Sequence, residues 1–546
     1  MQNLIYLQYR TPVNNQPLAT PAGTANSTNP PAVATDTPVP GPTMEPAYGT
    51  YEFDGFTLNG DYSLPMDNLI KYGAKCDVTF KAENTGSDTD ITVKYSGTKA
   101  SEKGAAFTGE GKSITILSGS SEQKVTLNVD KYMAECSIDF SASSEIKITD
   151  VKVETQPFDG ADYAKMIDDT FISAGNTDRL KKVIDKARSG QDVTLAYLGG
   201  SITEGVGAGP NMKCYAEKSW KKFTNKYSLF HNAEFINAGM SGTPSSLGAI
   251  RYHRDVESKI KTGKGPDILF LEFAVNDREE CTKGGAYEGL IRRAMKSGSA
   301  VVLIFSVFRD NFNMQDTYIP YGKYYGLPMI SIKNGVKSQF SNPDFSDWFF
   351  HDYWHPTNQG HAFMADCIAN LFEKVDCQMP QKDKIEDVSK VKPYKTDGFE
   401  TLKMLTTHSV KKNKKGKKQE IKKVSAGGFK TKDERTGIFR FNGKDKFPYN
   451  WKHKKKNSKK PLKIKVSCNK FLVVYKLSKN SHTGKADIFV DGKKIKTVNG
   501  YDKDGWNNAR IVLAINEEAK KVHTIEIRMA KGNRKKDFTV LAMGYH

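Results

Sequence analysis

Between residues 50 and 155, apolar and polar positions alternate in short runs: CDVTFKAE, DITVKYSG, KSITILSG, QKVTLNVD, CSIDFSAS and IKITDVKVE. Gly, Ser, Asn and Asp separate them. A period of two gives each run one buried and one wetted face, so this stretch predicts an antiparallel β-sandwich. From 160 to 380 the rhythm changes. Leu180, Val183, Ile184 and Ala187 recur at helical spacing, with Thr177 as a candidate N-cap and Gly190 as a stop. VTLAYLG (193–199) then reads as a strand, Ala216, Trp220, Phe223 and Tyr227 as a helix face, and EFINAG (234–239) as a second strand. DILFLEF (267–273) is apolar enough to be buried on both faces. Tyr287, Leu290, Ile291 and Ala294 mark another helix, AVVLIFSV (300–307) and GLPMISI (326–332) two more strands, and 361–374 a closing helix. This alternation predicts five parallel strands with helices on both faces. Residues 395–546 return to strand-like runs, with an Asp-Gly hairpin signal in VDGKKI, and predict a second β-sandwich.

The first 48 residues show neither rhythm. TNPPAVATDTPVPGPTMEP reads as an extended, disordered linker. The expected organisation is therefore a linker over 1–48, a β-sandwich over 50–155, an α/β domain over 160–380 and a lysine-rich β-sandwich over 395–546. MQNLIYLQYR lacks a basic segment followed by an apolar core, so it does not read as an export signal. A Thr/Pro stalk of this kind commonly follows one, and the expectation is that the signal was lost ahead of it. No apolar run is long enough to predict a transmembrane helix.

Charge sharpens the picture in one place. The chain carries +20, and residues 401–470 hold 24 Lys and Arg against four acidic residues, which is the entire excess. The rest of the chain is neutral, which excludes a histone-like or ribosomal type of protein. KKNKKGKKQEIKK has no interleaved aromatics and no helix-turn-helix or RRM pattern, so nucleic acid is not an expected partner. The block reads instead as attraction to an anionic cell-wall polymer or as a merely solvated tract. The seven cysteines form no CxxC pair, although Cys76 and Cys136 share a domain and can pair. No His/Cys/Asp cluster has metal-ligand spacing, so neither metal nor cofactor is expected.

Candidate chemistry gathers where open parallel sheets place their sites, at the carboxyl ends of strands. GGSIT (199–203) follows the first strand. A serine on a tight Gly-rich turn before a helix is exposed and near backbone N–H donors, which suits a nucleophile. NAGMSG (237–242) follows the second strand, AVND (274–277) the third, and DYWHP (352–356) precedes the last helix.

These four blocks, in this order, resemble the SGNH (GDSL) hydrolase superfamily over about residues 176–376. The resemblance implies a flavodoxin-like fold with Ser201 as nucleophile, His355 as general base and Asp352 as the carboxylate that orients the imidazole. It also implies an oxyanion hole built from the backbone N–H groups of Ser201 and Gly242 and the side-chain amide of Asn276. Two positions depart from the family pattern. Gly200 stands where an Asp usually precedes the serine, and Ala274-Val275 where Gly-Gly or Gly-x usually precedes Asn-Asp. Asp277 reads as a loop-orienting acceptor and His361 as structural. Trp354, beside the base, and Arg251, on the helix after the Gly242 loop, are candidate substrate contacts.

Related bacterial enzymes joined to β-sandwich modules are commonly carbohydrate esterases. The resemblance therefore implies a secreted or cell-surface bacterial serine esterase that removes O-acetyl groups from polysaccharide or glycan sugars. Two alternatives stand beside it: a lipase, thioesterase or glycan O-acetyltransferase on the same fold, and a glycan-binding surface protein with a degenerate hydrolase domain.

Overall fold

A computed structural model describes residues 50–66, 74–99, 106–109, 111–129, 133–157, 161–208, 214–261, 265–395, 398–412, 420–435, 446–455 and 458–546. The linker expected over 1–48 and the lysine run 413–419 lie outside the described residues. Among the described residues, no helix is long and apolar enough to cross a membrane.

The central region holds one sheet of six strands: β1 (Phe171–Ser173), β2 (Val193–Gly199), β3 (Ala233–Gly239), β4 (Ile268–Glu272), β5 (Ala300–Phe305) and β6 (Met329–Ser331). Their order is β3-β2-β4-β5-β6-β1. Strands β2 to β6 run parallel, while β1 joins the edge antiparallel to β6. The expected five parallel strands are present, and the sixth strand corrects that expectation. Three residues are too short to show a period, and β1 is held by its pairing with β6 and by the Ser331 N–H donating to Thr170 O at 2.7 Å. The predicted strand 326–332 also shrinks, because Ser331 Oγ accepts from Asn334 N–H and starts a helix at Ile332.

Alternation in the strands divides the core. Ala196, Leu198, Leu269, Leu271, Val301 and Leu303 pack one face against helices Ser245–Asp255, Gly285–Lys296 and Gln315–Tyr325. Leu195, Tyr197, Phe270, Val302 and Ile304 pack the other face against Asp178–Arg188, Tyr215–Tyr227 and Asn358–Asp376. Each such fully buried aliphatic side chain contributes roughly 1.5–3 kcal/mol. The helix Asp178–Arg188 ends at Gly190, whose φ of +79° suits glycine. Thr177 does not cap it: its own φ/ψ are helical, and its Oγ1 accepts from Gln381 N–H at 2.8 Å instead.

After β2 the chain passes to β3 on one side, then to β4 on the other. The carboxyl end of β2 is therefore the switch point of the sheet, where a crevice opens.

The N-terminal region, from Thr50 to Pro157, is one connected antiparallel sheet. Its 25-residue strand Met133–Pro157 pairs with Thr89–Lys99 through its first half and with Ala74–Asn84 through its second. Cys76 is a buried free thiol, so the Cys76–Cys136 pairing is not formed. The C-terminal region is likewise one eight-stranded sheet, built around Leu462–Ser478 and Trp506–Met529. Its hairpin turns at Asp491 and Gly492, with φ of +49° and +83°, as Asp-Gly predicts. Leu472, Val474, Ala509, Leu541 and Ala542 of this sheet share a single apolar core with Leu247, Ala249 and Ile250 of the central domain.

Candidate active site

Ser201 opens a four-residue helix directly after β2, a helix closed by Gly205 in the left-handed conformation. The sharp strand-to-helix reversal brings the hydroxyl to the switch point. Its Oγ lies 2.9 Å from His355 Nε2. His355 Nδ1 lies 2.8 Å from Asp352 Oδ2 and 3.0 Å from Oδ1. Asp352 Oδ1 also accepts from the backbone N–H groups of Trp354 and His355, at 2.7 and 2.8 Å. The spacing DxxH thus folds into a tight turn whose carboxylate closes on its own histidine. Burial alone would raise the Asp352 pKa. The hydrogen bonds and charge supplied by His355, with the two backbone N–H groups, hold it below the usual carboxylate value.

Asn276 and Gly242 border the same serine. The turn after β4 is closed by Asn276 N–H donating to Phe273 O at 2.9 Å. The Asn276 amide then rests against Gly200: a Cβ there would stand 2.1 Å from Oδ1. A side chain at 200 would require the Asn276 amide to shift. Gly242 sits at φ +63°, open to solvent, and an added Cβ would lie 2.8 Å from the Trp506 ring of the C-terminal sheet. Glycine is required there twice over, by backbone conformation and by space.

Two buried carboxylates tie down the Gly242 loop. Glu204, on the helix that Ser201 opens, accepts from the Ser241 backbone N–H and hydroxyl at 2.7 and 2.6 Å. Asp277, next to Asn276, accepts from Ser245 N–H at 2.8 Å and Tyr318 O–H at 2.6 Å. Burial, reinforced by the charge of Glu280, pushes the Asp277 pKa up to about 7. Beneath the serine turn, fully buried Glu272 accepts from Thr203 Oγ1 at 3.0 Å, and burial pushes its pKa up to about 8. Asn237 completes the support, donating to Thr203 O at 2.8 Å while its Oδ1 accepts from Gly239 N–H at 2.8 Å.

Other residues singled out in the sequence fall elsewhere. Arg251 is fully buried and donates to Ala238 O at 2.6 Å and Gly199 O at 3.1 Å, under the strand ends. It has no path to a substrate, which corrects the expected contact. A long cation on the helix Ser245–Asp255 points inward because those strand-end carbonyls need a donor. His361 is enclosed between Tyr215 N–H and Val206 O, and burial lowers its pKa to about 3. Trp348 and Phe349 belong to the core, whereas Trp354 is half exposed beside His355. Among the described residues, no group of three or more His, Cys, Asp or Glu is placed to hold a metal ion.

Sequence reading missed Glu204, Glu272 and Trp506. Glu204 carries a local signal, since it directly follows GGSIT. Trp506 carries none: it comes from a separate domain about 300 residues downstream.

Residues 197–363 match the model of the GDSL-like Lipase/Acylhydrolase family. A comparison with curated proteins finds no match. Among solved structures, a two-domain esterase (CEX) active on acetylated mannans, co-crystallised with mannopentaose, aligns at TM-score 0.56 and 24% identity. The alignment covers 69% of this chain and 97% of that one. A second crystal structure of a two-domain esterase (CEX) active on acetylated mannans aligns at TM-score 0.55 and 24% identity over 69% and 98% of the two chains. The likeness extends to the arrangement of the fold.

Proposed function

We propose that this chain, whose residues 197–363 match the GDSL-like Lipase/Acylhydrolase family model, is an esterase that removes O-acetyl groups from polysaccharide sugars through Ser201, His355 and Asp352. The observation that carries the reading is the unbroken chain Ser201 Oγ–His355 Nε2 at 2.9 Å and His355 Nδ1–Asp352 Oδ2 at 2.8 Å. His355 takes the serine proton as Oγ attacks the acetyl carbonyl, and Asp352 holds the imidazole in the tautomer that accepts it. Backbone N–H groups of Ser201 and Gly242 and the Asn276 amide receive the oxyanion, each worth on the order of 3 kcal/mol. His355 then protonates the departing sugar oxygen. Water, activated by the same imidazole, releases acetate from Ser201.

Three features favour a sugar ester over a long-chain lipid. Trp354, beside His355, and Trp506, against Gly242, stand partly exposed and offer flat apolar faces to sugar rings. The loop hydrogen-bonded to Tyr353, two residues before His355, carries Arg309, Asp310, Asn311 and Asn313, polar neighbours that do not suit an acyl chain. The two-domain CEX structures belong to an esterase active on acetylated mannans. We further propose an extracellular or cell-surface setting, and a glycan-binding role for the 50–157 sheet.

The test is acetate release from acetylated xylan, mannan, pectin and sialoglycans, with wild type and Ser201→Ala side by side. Release from at least one polymer, lost in Ser201→Ala, is the expected result. Equal release by both proteins refutes the nucleophile. Binding of glycan without any turnover favours the degenerate-domain alternative, and preference for nitrophenyl esters longer than butyrate favours a lipase. An added sugar acceptor that outcompetes water favours a transferase.

A further inference from the structure

Glu204 is almost wholly buried, at the end of the nucleophile's helix. One carboxylate oxygen holds the backbone N–H and hydroxyl of Ser241, the residue before Gly242. The other faces Lys446 Nζ at 2.7 Å, a contact made by charge and not by an aligned hydrogen bond. Lys446 lies in the C-terminal region, some 240 residues further along the chain.

Lys446 also grips the central domain through its backbone. Its carbonyl accepts from Arg254 Nη1 at 3.0 Å. Arg254 is paired with Asp255, and Asp255 with Arg251 at 2.9 Å. Arg251 in turn holds Ala238 O and Gly199 O at the ends of β3 and β2. One residue of the C-terminal region therefore reaches both the loop that carries Gly242 and the strand end that carries Ser201.

A carboxylate this deeply buried needs a countercharge within contact distance, and removing one partner of such a pair leaves an uncompensated charge inside the protein. Without the ammonium, the side chain gains by turning toward water, and the two Ser241 hydrogen bonds go with it. The peptide that Ser241 shares with Gly242 carries the N–H that the esterase reading assigns to the oxyanion.

We infer that Lys446 is a positioning residue for the oxyanion hole, supplied by the C-terminal β region and acting through Glu204 and Ser241. The inference rests on the esterase reading above. It adds that the catalytic domain is completed by a residue outside it.

The experiment compares steady-state hydrolysis of p-nitrophenyl acetate by the full chain, Lys446→Met, Lys446→Arg, Glu204→Gln and the double variant Glu204→Gln/Lys446→Met. Circular dichroism checks each fold. Lys446→Met is expected to lose about tenfold or more in kcat with KM changed less than about twofold, the pattern of a displaced catalytic group. Lys446→Arg restores about half of the turnover or more, because the charge returns. In the Glu204→Gln background the lysine substitution costs less than about twofold further, since no buried charge is left to balance. Should Lys446→Met fail to fold, a kcat loss at unchanged KM in Glu204→Gln is the expected result. Wild-type kcat in Lys446→Met, no rescue by arginine, or the same loss in the Gln background each overturns the inference. A wild-type protein without Ser201-dependent turnover overturns the esterase reading instead.

Discussion

The side-chain amide of Asn276 occupies the space that a Cβ on Gly200 would fill, 2.1 Å from Oδ1 and 3.1 Å from Nδ2. The residue before Ser201 and a residue of the turn after β4 are thus a matched pair, one small because the other is close. Gly200→Ala, and Gly200→Asp more strongly, should push Asn276 out of line and lower kcat by about 100-fold, the typical cost of one oxyanion donor. Kinetics on p-nitrophenyl acetate decide it. An active Gly200→Asp variant would mean that Asn276 is not the donor.

Arg251 should behave as a structural residue. Arg251→Ala removes a buried donor from Ala238 O and Gly199 O and leaves Asp255 with Arg254 alone, at an expected cost of about 3–5 kcal/mol in a urea unfolding titration. A stable variant with a raised KM for acetylated oligosaccharide would restore the substrate contact expected from sequence.

Stability should fall with rising pH because of Glu272. Its folded pKa, about 8, lies above the ordinary value of 4.5, so the folded chain keeps a proton that the unfolded chain gives up. Between those values the group favours folding less and less as pH rises, and Asp277 acts in the same direction up to about 7. Glu272→Gln removes this dependence. Its melting temperature relative to wild type should therefore be higher at pH 8 than at pH 5. A difference that does not change with pH counts against the buried proton.

Trp354→Ala and Trp506→Ala should separate binding from chemistry. Each is expected to raise KM for acetylated oligosaccharide by about tenfold, the scale of one aromatic contact, while leaving kcat on p-nitrophenyl acetate nearly unchanged. Equal effects on both substrates would place the rings in the framework of the site.

Much of this was legible in the sequence because the information is local. Strand VTLAYLG (193–199) is seven residues long, mostly apolar and buried throughout, and it lies where expected. Ser201 and His355 are far apart in sequence, but each stands in a short block whose neighbours are needed nearby. The failures have the opposite character. Phe171–Ser173 becomes a strand only because β6 is there to pair with it. Thr177 looks like a cap, but a distant backbone N–H at Gln381 competes for its hydroxyl. Arg251 reads as a surface cation because its position in the sequence does not reveal the two strand-end carbonyls above it. Lys446 sits in a stretch whose lysines all look alike, and only the folded chain distinguishes the one that meets Glu204 from its neighbours. Lys452 and Lys476, likewise, are spent on Asp433 and are not free for an outside polymer.

The shared core between helix Ser245–Asp255 and the C-terminal sheet bears on how such a gene can be rearranged. Leu472, Val474, Leu541 and Ala542 pack with Leu247 and Ile250, and a Cβ on Gly544 would stand 2.5 Å from the Ile250 side chain. A seam this close tolerates no exchange of one side alone. Recombination that moved residues 160–380 into a new host chain would strand an apolar helix face in water, and a foreign β module would meet it with the wrong relief. The piece that can be inherited, shuffled or expressed as a working unit is the pair. Among the described residues, the N-terminal sheet contributes nothing to that seam, and it remains the segment open to replacement.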